Sequence, residues 1–194
     1  MNLNAISTCL ALALVASSCG TRSFSPDEFT TWCSDSENGL VKERSLGGVK
    51  FRMEYWPTAM IQLQNQDSSS KAYENMEYFR FHIESEDPIE SDLVSEWTST
   101  NEEYQSLTQH LAFEYDDGIQ LKIGDKALPC AHYHFERNYG LRPGIDLVFA
   151  FENQDQEYEH DRKLVINDQV FGTGRLHFSF DRDHIQKAQQ SQIL

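Results

Sequence analysis

The chain has 194 residues, with 31 acidic side chains against 16 Lys and Arg, and a formal net charge of −15. At 39% hydrophobic and 12% aromatic it can bury a core of ordinary size, which excludes a disordered spacer. So acidic a chain is repelled by phosphate backbones and by anionic lipid head groups, and with no local basic patch visible in the sequence no nucleic-acid partner is expected.

The first twenty residues, MNLNAISTCLALALVASSCG, hold an apolar run from Ile6 to Ala16 that leads through small residues to Cys19. This layout resembles the lipobox of bacterial lipoproteins, in which cleavage before a cysteine is coupled to lipidation of its thiol. The resemblance implies a signal peptide over 1–18, a palmitate-type acyl group on Cys19, and a protein anchored to the membrane rather than spanning it. The alternatives are an ordinary secretory signal cleaved near Ser18 and a buried N-terminal strand or helix. The run is shorter than the ~20 residues a bilayer span needs. Residues 19–35 are polar, with Ser, Thr and Pro26, and read as a tether, which leaves one domain over 36–194.

Once Cys9 leaves with the signal and Cys19 carries lipid, Cys33 and Cys130 remain. In an oxidising envelope they form one disulfide, or else they are two small buried apolar residues. Sequence does not choose between these, because it cannot place the pair within bridging distance.

In chain order, Leu40–Leu46, Gly47-Gly48 and Val49–Trp56 read as a β-hairpin, since two glycines supply the positive φ angles of a tight turn. Val49, Phe51, Met53 and Tyr55 alternate with Lys50, Arg52 and Glu54, and Pro57 ends the strand. Thr58–Asn65 permits a short helix. Phe79, Phe81 and Ile83 mark a half-buried strand, and Glu84–Asp92, with Pro88, a loop. Ser99-Thr100-Asn101-Glu102 resembles a capping box opening a helix over Asn101–His110. Leu111, Phe113 and Tyr115 alternate as a strand, turning at Asp117-Gly118 into Ile119–Ile123. Further strands are expected at Cys130–Glu136, Ile145–Phe151, Lys163–Ile166 and Arg175–Phe180, and a short helix or frayed tail over Asp181–Leu194. Many short strands joined by turns predict a mainly β antiparallel sandwich with one or two short helices, a barrel being the runner-up.

The run Trp32-Cys33-Ser34-Asp35-Ser36-Glu37-Asn38-Gly39-Leu40, the Gly-Gly hairpin, Tyr55-Trp56-Pro57 and the stretch Asp168–Gly174 resemble a group of uncharacterised envelope lipoproteins of Bacteroidetes. That resemblance implies an envelope location and brings no activity or catalytic residue with it. Lipoproteins of that phylum that reach the cell surface tend to carry acids directly after the lipidated cysteine. Gly20, Thr21, Arg22 and Ser23 stand there instead, which points to the periplasmic side of the outer membrane.

For chemistry, Cys130-Ala131-His132-Tyr133-His134-Phe135-Glu136 is the richest stretch. On an extended strand His132, His134 and Glu136 share one face, where two imidazoles and a carboxylate can ligate a transition metal; a solvated outer face opposite an aromatic inner one is the simpler reading. Asp155–Asp161 carries alternating acids but lacks the glycine and ligand order of a calcium loop. Phe171-Gly172-Thr173-Gly174 precedes a strand, so it offers no helix N-terminus to a phosphate. No G-x-S-x-G elbow is present. Trp32, Trp56 and Trp97 read as core or rim packing before sugar stacking. The expectation is a lipid-anchored binding or scaffolding module with a protein partner in the envelope, no cofactor and no catalysis. The alternatives are a metal-dependent hydrolase using His132 and His134, and a glycan-binding lipoprotein.

Overall fold

A computed structural model describes residues 22–65, 73, 75–89, 92–136, 142–153 and 159–194. Its elements are β1 (Ser23–Phe24), α1 (Pro26–Ser34), β2 (Val41–Leu46), β3 (Val49–Trp56), α2 (Thr58–Asn65), β4 (Met76–Ser85), α3 (Leu93–Glu96) and α4 (Asn101–Phe113). Then come β5 (Ile119–Ile123), β6 (Lys126–Pro129), β7 (His132–Glu136), β8 (Ile145–Glu152), β9 (Arg162–Asp168), β10 (Gly174–Phe180), α5 (Arg182–Gln189) and β11 (Gln192–Ile193). The protein is mainly β. A five-stranded antiparallel sheet, β2-β3-β4-β8-β7, faces a four-stranded antiparallel sheet, β10-β9-β5-β6. The two form a sandwich rather than a barrel, as the strand pattern predicts.

Alternation along each strand builds the core. Phe51, Met53 and Tyr55 on β3, Phe79, Phe81 and Ile83 on β4, and Leu147, Phe149 and Phe151 on β8 are all buried, and meet Leu176, Phe178 and Phe180 on β10. Phe81 stacks on Phe51 at 5.8 Å between ring centroids and meets Phe178 of the opposite sheet edge-on, also at 5.8 Å. The β2–β3 turn forms at Gly47 and Gly48, with φ of 66° and 80°.

The structure corrects the tether reading of residues 19–35 over the part it describes. Ser25 caps α1 in a full capping box with Glu28, and Pro26 occupies the first turn. Phe29, Trp32 and Cys33, spaced i, i+3 and i+4, then join the core. The first strand, β1, pairs in parallel with β11, Ser23 opposite Gln192, so residues 22–35 belong to the fold. Gly39, in the Asn38-Gly39-Leu40 stretch, has φ of 77°, and the His184 ring of α5 lies 2.1 Å from where a Cβ would stand. Only glycine fits both demands.

Two further expectations are corrected. The strand read at Leu111–Tyr115 is the end of α4 followed by a 3₁₀ turn over Tyr115–Gly118, so Asp117-Gly118 does not close a hairpin. Leu107 and Leu111 pack inward one turn apart, leaving Phe113 72% exposed, the opposite of what strand alternation implies. The cap of α4 is Thr100, which accepts from the Glu103 amide at 3.2 Å, while Glu103 Oε2 accepts from Ser99 N at 2.7 Å. The capping pair is one residue later than Ser99 and Glu102. The Cys130–Glu136 stretch divides between a bend and β7, and the last fourteen residues form α5 and β11.

A buried polar cluster joins the two sheets through Glu77 Oε1, while Glu77 Oε2 has no hydrogen-bond partner among the described residues. Arg162 on β9 is fully buried and donates Nε and Nη2 to Glu77 Oε1 on β4, at 3.1 and 2.6 Å, and Asn153 Nδ2 donates to the same oxygen at 2.8 Å. Tyr55 accepts a hydrogen bond from Gln189 of α5 at 2.9 Å. Its hydroxyl is pushed well above the ordinary tyrosine value by burial and then by the Glu77 charge. After β9, Asp168 accepts from the amides of Val170, Phe171 and Thr173 and from the Thr173 hydroxyl at 2.7–3.2 Å. That carboxylate shapes the turn that seats Phe171 edge-on against Phe51 and Trp97.

Candidate functional site

The strand pairing places His132, His134 and Glu136 on the outer face of β7, opposite Ala150, Val148 and Asp146 of β8. The shared face is as the alternation predicts. The metal centre is not: among the described residues no group of three or more His, Cys, Asp or Glu is placed to hold a metal ion. The residues opposite the two histidines, Ala150 and Val148, offer no ligand.

The proposed Cys33–Cys130 disulfide is also absent, and both thiols are free. Cys33 lies on α1, close enough to Glu54 of β3 to feel its charge. Cys130 sits beside β8, its Sγ directed at the carbonyls of His132 and Ala150. Three strand spacings, roughly 14 Å, separate β3 from β7, well beyond disulfide reach. Burial pushes the Cys33 thiol up to about 12 and the Cys130 thiol up to about 11, so neither is a thiolate at neutral pH. Cys19 and residues 154–158 of the acidic loop lie outside the described residues.

The outer face of the five-stranded sheet carries a ladder of paired charges. Arg52 reaches Glu54 at 2.7 Å, Glu43 at 2.9 Å and the Ser34 carbonyl of α1 at 2.8 Å; Trp56 Nε1 donates to Glu54. Across the sheet Arg80 and His82 both meet Asp146 Oδ1 at 2.8 Å. The hydrogen bond to Asp146 raises the His82 pKa against the opposing effect of partial burial, with Glu84 adding to the rise. Burial pushes the Asp146 carboxyl up, but His82, Arg80 and Arg142 outweigh it and hold the group below the usual range.

The sign of the pH effect follows. The His82 contribution to stability is complete below the ordinary histidine value and fades as pH rises through its raised folded value; the Asp146 contribution is complete above the ordinary aspartate value and fades only in stronger acid. Thermal unfolding of the His82→Gln variant should therefore fall furthest below wild type at about pH 5 and converge towards it at about pH 9. An equal gap at both ends would show that the imidazole acts by shape alone.

A cleft of about 580 Å³ lies between α4, Trp97 and the Gln169–Val170 loop. Trp97, Leu107 and Val170 supply its apolar wall, and Glu103, Ser106, Gln109, His110 and Glu114 its polar rim. Ser106, His110 and Glu114 follow one another a helical turn apart, and His110 Nδ1 lies 3.2 Å from Glu114 Oε2. Leu111, one turn on from Leu107, fixes α4: it is fully buried and its carbonyl accepts from the Tyr133 hydroxyl of β7. Such a cleft can hold an extended ligand segment, with apolar contact on one side and hydrogen bonds on the other.

Sequence reasoning missed this site because the Leu111–Tyr115 strand reading took Glu114 off the helix. The i, i+4, i+8 spacing of Ser106, His110 and Glu114 was its available signal. Trp32 and Trp56 are buried at 7% and 8% exposure, and Trp97 borders the cleft half-buried. That is core and rim packing, as expected. No helix of the described residues is long and apolar enough to cross a membrane. No protein-family model matches the chain, and neither a curated protein nor a solved structure matches it.

Proposed function

We propose that this chain is a lipoprotein of the bacterial cell envelope, acylated on Cys19 and held on the periplasmic side of the outer membrane, whose sandwich binds a protein partner. The observation that carries the binding role is the α4 cleft, where Trp97, Leu107 and Val170 stand beside a row of hydrogen-bonding side chains. The lipobox-like head supports the anchor. The first described strand begins at Ser23, four residues after Cys19, and four residues span at most ~14 Å even when fully extended. An anchored sandwich is thus held close to the bilayer, without the long tether that the polar composition suggests.

Two measurements test the reading. Palmitate labelling of cells should mark the wild-type chain and spare Cys19→Ala; an unlabelled wild type removes the anchor. Pull-down from detergent-solubilised envelope should recover a reproducible partner with the tagged wild-type chain and lose it with Leu107→Glu. Recovery of the same proteins by both chains, or of none by either, overturns the cleft as a docking site.

A further inference from the structure

The outer face of the four-stranded sheet inverts the charge of the rest of the molecule. Register places Lys122 of β5 directly opposite Lys163 of β9, while Arg175 and His177 of β10 project from the same face. Arg44 approaches from β2, and all five side chains are exposed. Slight desolvation and then the charges of Lys163, Arg175, Lys122 and Arg44 hold the His177 pKa below its ordinary value. The other outward positions of these three strands are Gln120, Val165, Asn167 and Ser179, so the face carries no acid in a chain of net charge −15. Among the described residues none of the four cations forms an ion pair. Acids stand at its end: Asp125 follows β5, Asp161 accepts from the Arg182 amide at 3.0 Å and Asp181 lies near His184 at 3.6 Å.

Folding alone does not account for this arrangement. Like charges directly opposite on neighbouring strands destabilise a sheet, and one carboxylate among the neutral neighbours would relieve the repulsion. What stabilises such an array is an external anion. Its form narrows the choice: the face is an open sheet with no aromatic ring for stacking bases and no helix or ribbon to enter a groove. At its rim the β2–β3 turn, whose Gly47 lies beside Thr173, carries the half-exposed Leu46. A broad cationic surface edged by an apolar side chain matches a bilayer's headgroup layer. The acids on other faces do not cancel it, because charges further away than the ~8 Å Debye length at physiological salt are screened.

We propose that the outer face of the β5-β9-β10 sheet, through Arg44, Lys122, Lys163 and Arg175, docks on an anionic lipid bilayer surface. The contact acts beside the acyl anchor and does not depend on it: lipidation brings the sandwich to the membrane, and this face orients it there.

The test uses the full chain carrying Cys19→Ala, so that failure of the acylation reading leaves it untouched. Binding to phosphatidylcholine vesicles measures what the apolar head contributes. Adding phosphatidylglycerol should strengthen binding in low salt, and high salt should remove that gain. Neutralising three cations in K122Q/K163Q/R175Q should weaken the gain by roughly 100-fold, while K50Q/R182Q/K187Q, which removes three cations elsewhere, should leave it in place. Equal binding to both vesicle types, or an undiminished gain in K122Q/K163Q/R175Q, overturns the proposal. So does tighter binding to duplex DNA than to the vesicles at equal phosphate, or salt-sensitive self-association lost in the same variant; these assign the face to nucleic acid or to a second copy.

Discussion

Replacing Arg162 by methionine is expected to cost about 3–5 kcal/mol of stability, because it removes one partner of a fully buried ion pair. Glu77 would keep a single hydrogen bond, from Asn153, and lose the two from the guanidinium. Methionine conserves most of the volume, so the loss reports the uncompensated charge rather than a cavity. Set against a typical total of about 5–15 kcal/mol, this is a large fraction. Urea denaturation measures it, and E77Q/R162M supplies the control. The double variant removes both charges while leaving an amide oxygen for Asn153, and should recover more than half of the loss. If R162M unfolds within about 0.5 kcal/mol of wild type, the pair does not help to hold β4 and β9 together.

Phe81→Ala should be comparably damaging, at about 3–5 kcal/mol. Its ring lies between Phe51, Phe149 and Phe178, with centroids 5.8, 6.0 and 5.8 Å away. It therefore joins neighbours within one sheet to the sheet facing it, and truncation opens a void on both sides. Phe113 makes the contrast: it is 72% exposed at the end of α4, so Phe113→Ala should stay within about 0.5 kcal/mol. The two urea midpoints, compared at equal m value, decide the matter. A Phe113→Ala loss as large as that of Phe81→Ala would place a covering partner over α4.

Two of the stretches that carry the resemblance to Bacteroidetes lipoproteins have a folding role. Gly39 leaves room for His184 of α5, and Asp168 holds the turn that seats Phe171. The cleft, by contrast, draws on α4 and on the loop that Asp168 shapes, so one structural carboxylate positions part of its wall.

Most strands were legible because period-2 alternation is a local property. In Val49–Trp56, Met76–Ser85 and Gly174–Phe180 the inward face could be read directly from residue type. Short windows are where this fails. Leu111, Phe113 and Tyr115 satisfy a strand, but Leu107 and Leu111 satisfy a helix already started at Thr100, and continuing a helix costs less than nucleating a new element. Polar composition hid α1 in the same way: Ser25, Asp27 and Glu28 look like a tether until their capping roles are recognised.

By itself, then, the sequence determined the lipobox-like head, the charge balance, the fold class and the inward residue of nearly every strand, all set by local sterics and hydropathy. Tertiary structure alone decided which strands are neighbours. That pairing sets β3, beside Cys33, three strand spacings from β7, beside Cys130, leaves His132 and His134 without a third ligand among the described residues, and brings Lys122, Lys163 and Arg175 together on one face. The reason is physical: alternation is decided within a few residues of backbone, whereas sheet order is decided by the burial of rings such as Phe81 and Phe178, which meet only when the two sheets close on each other.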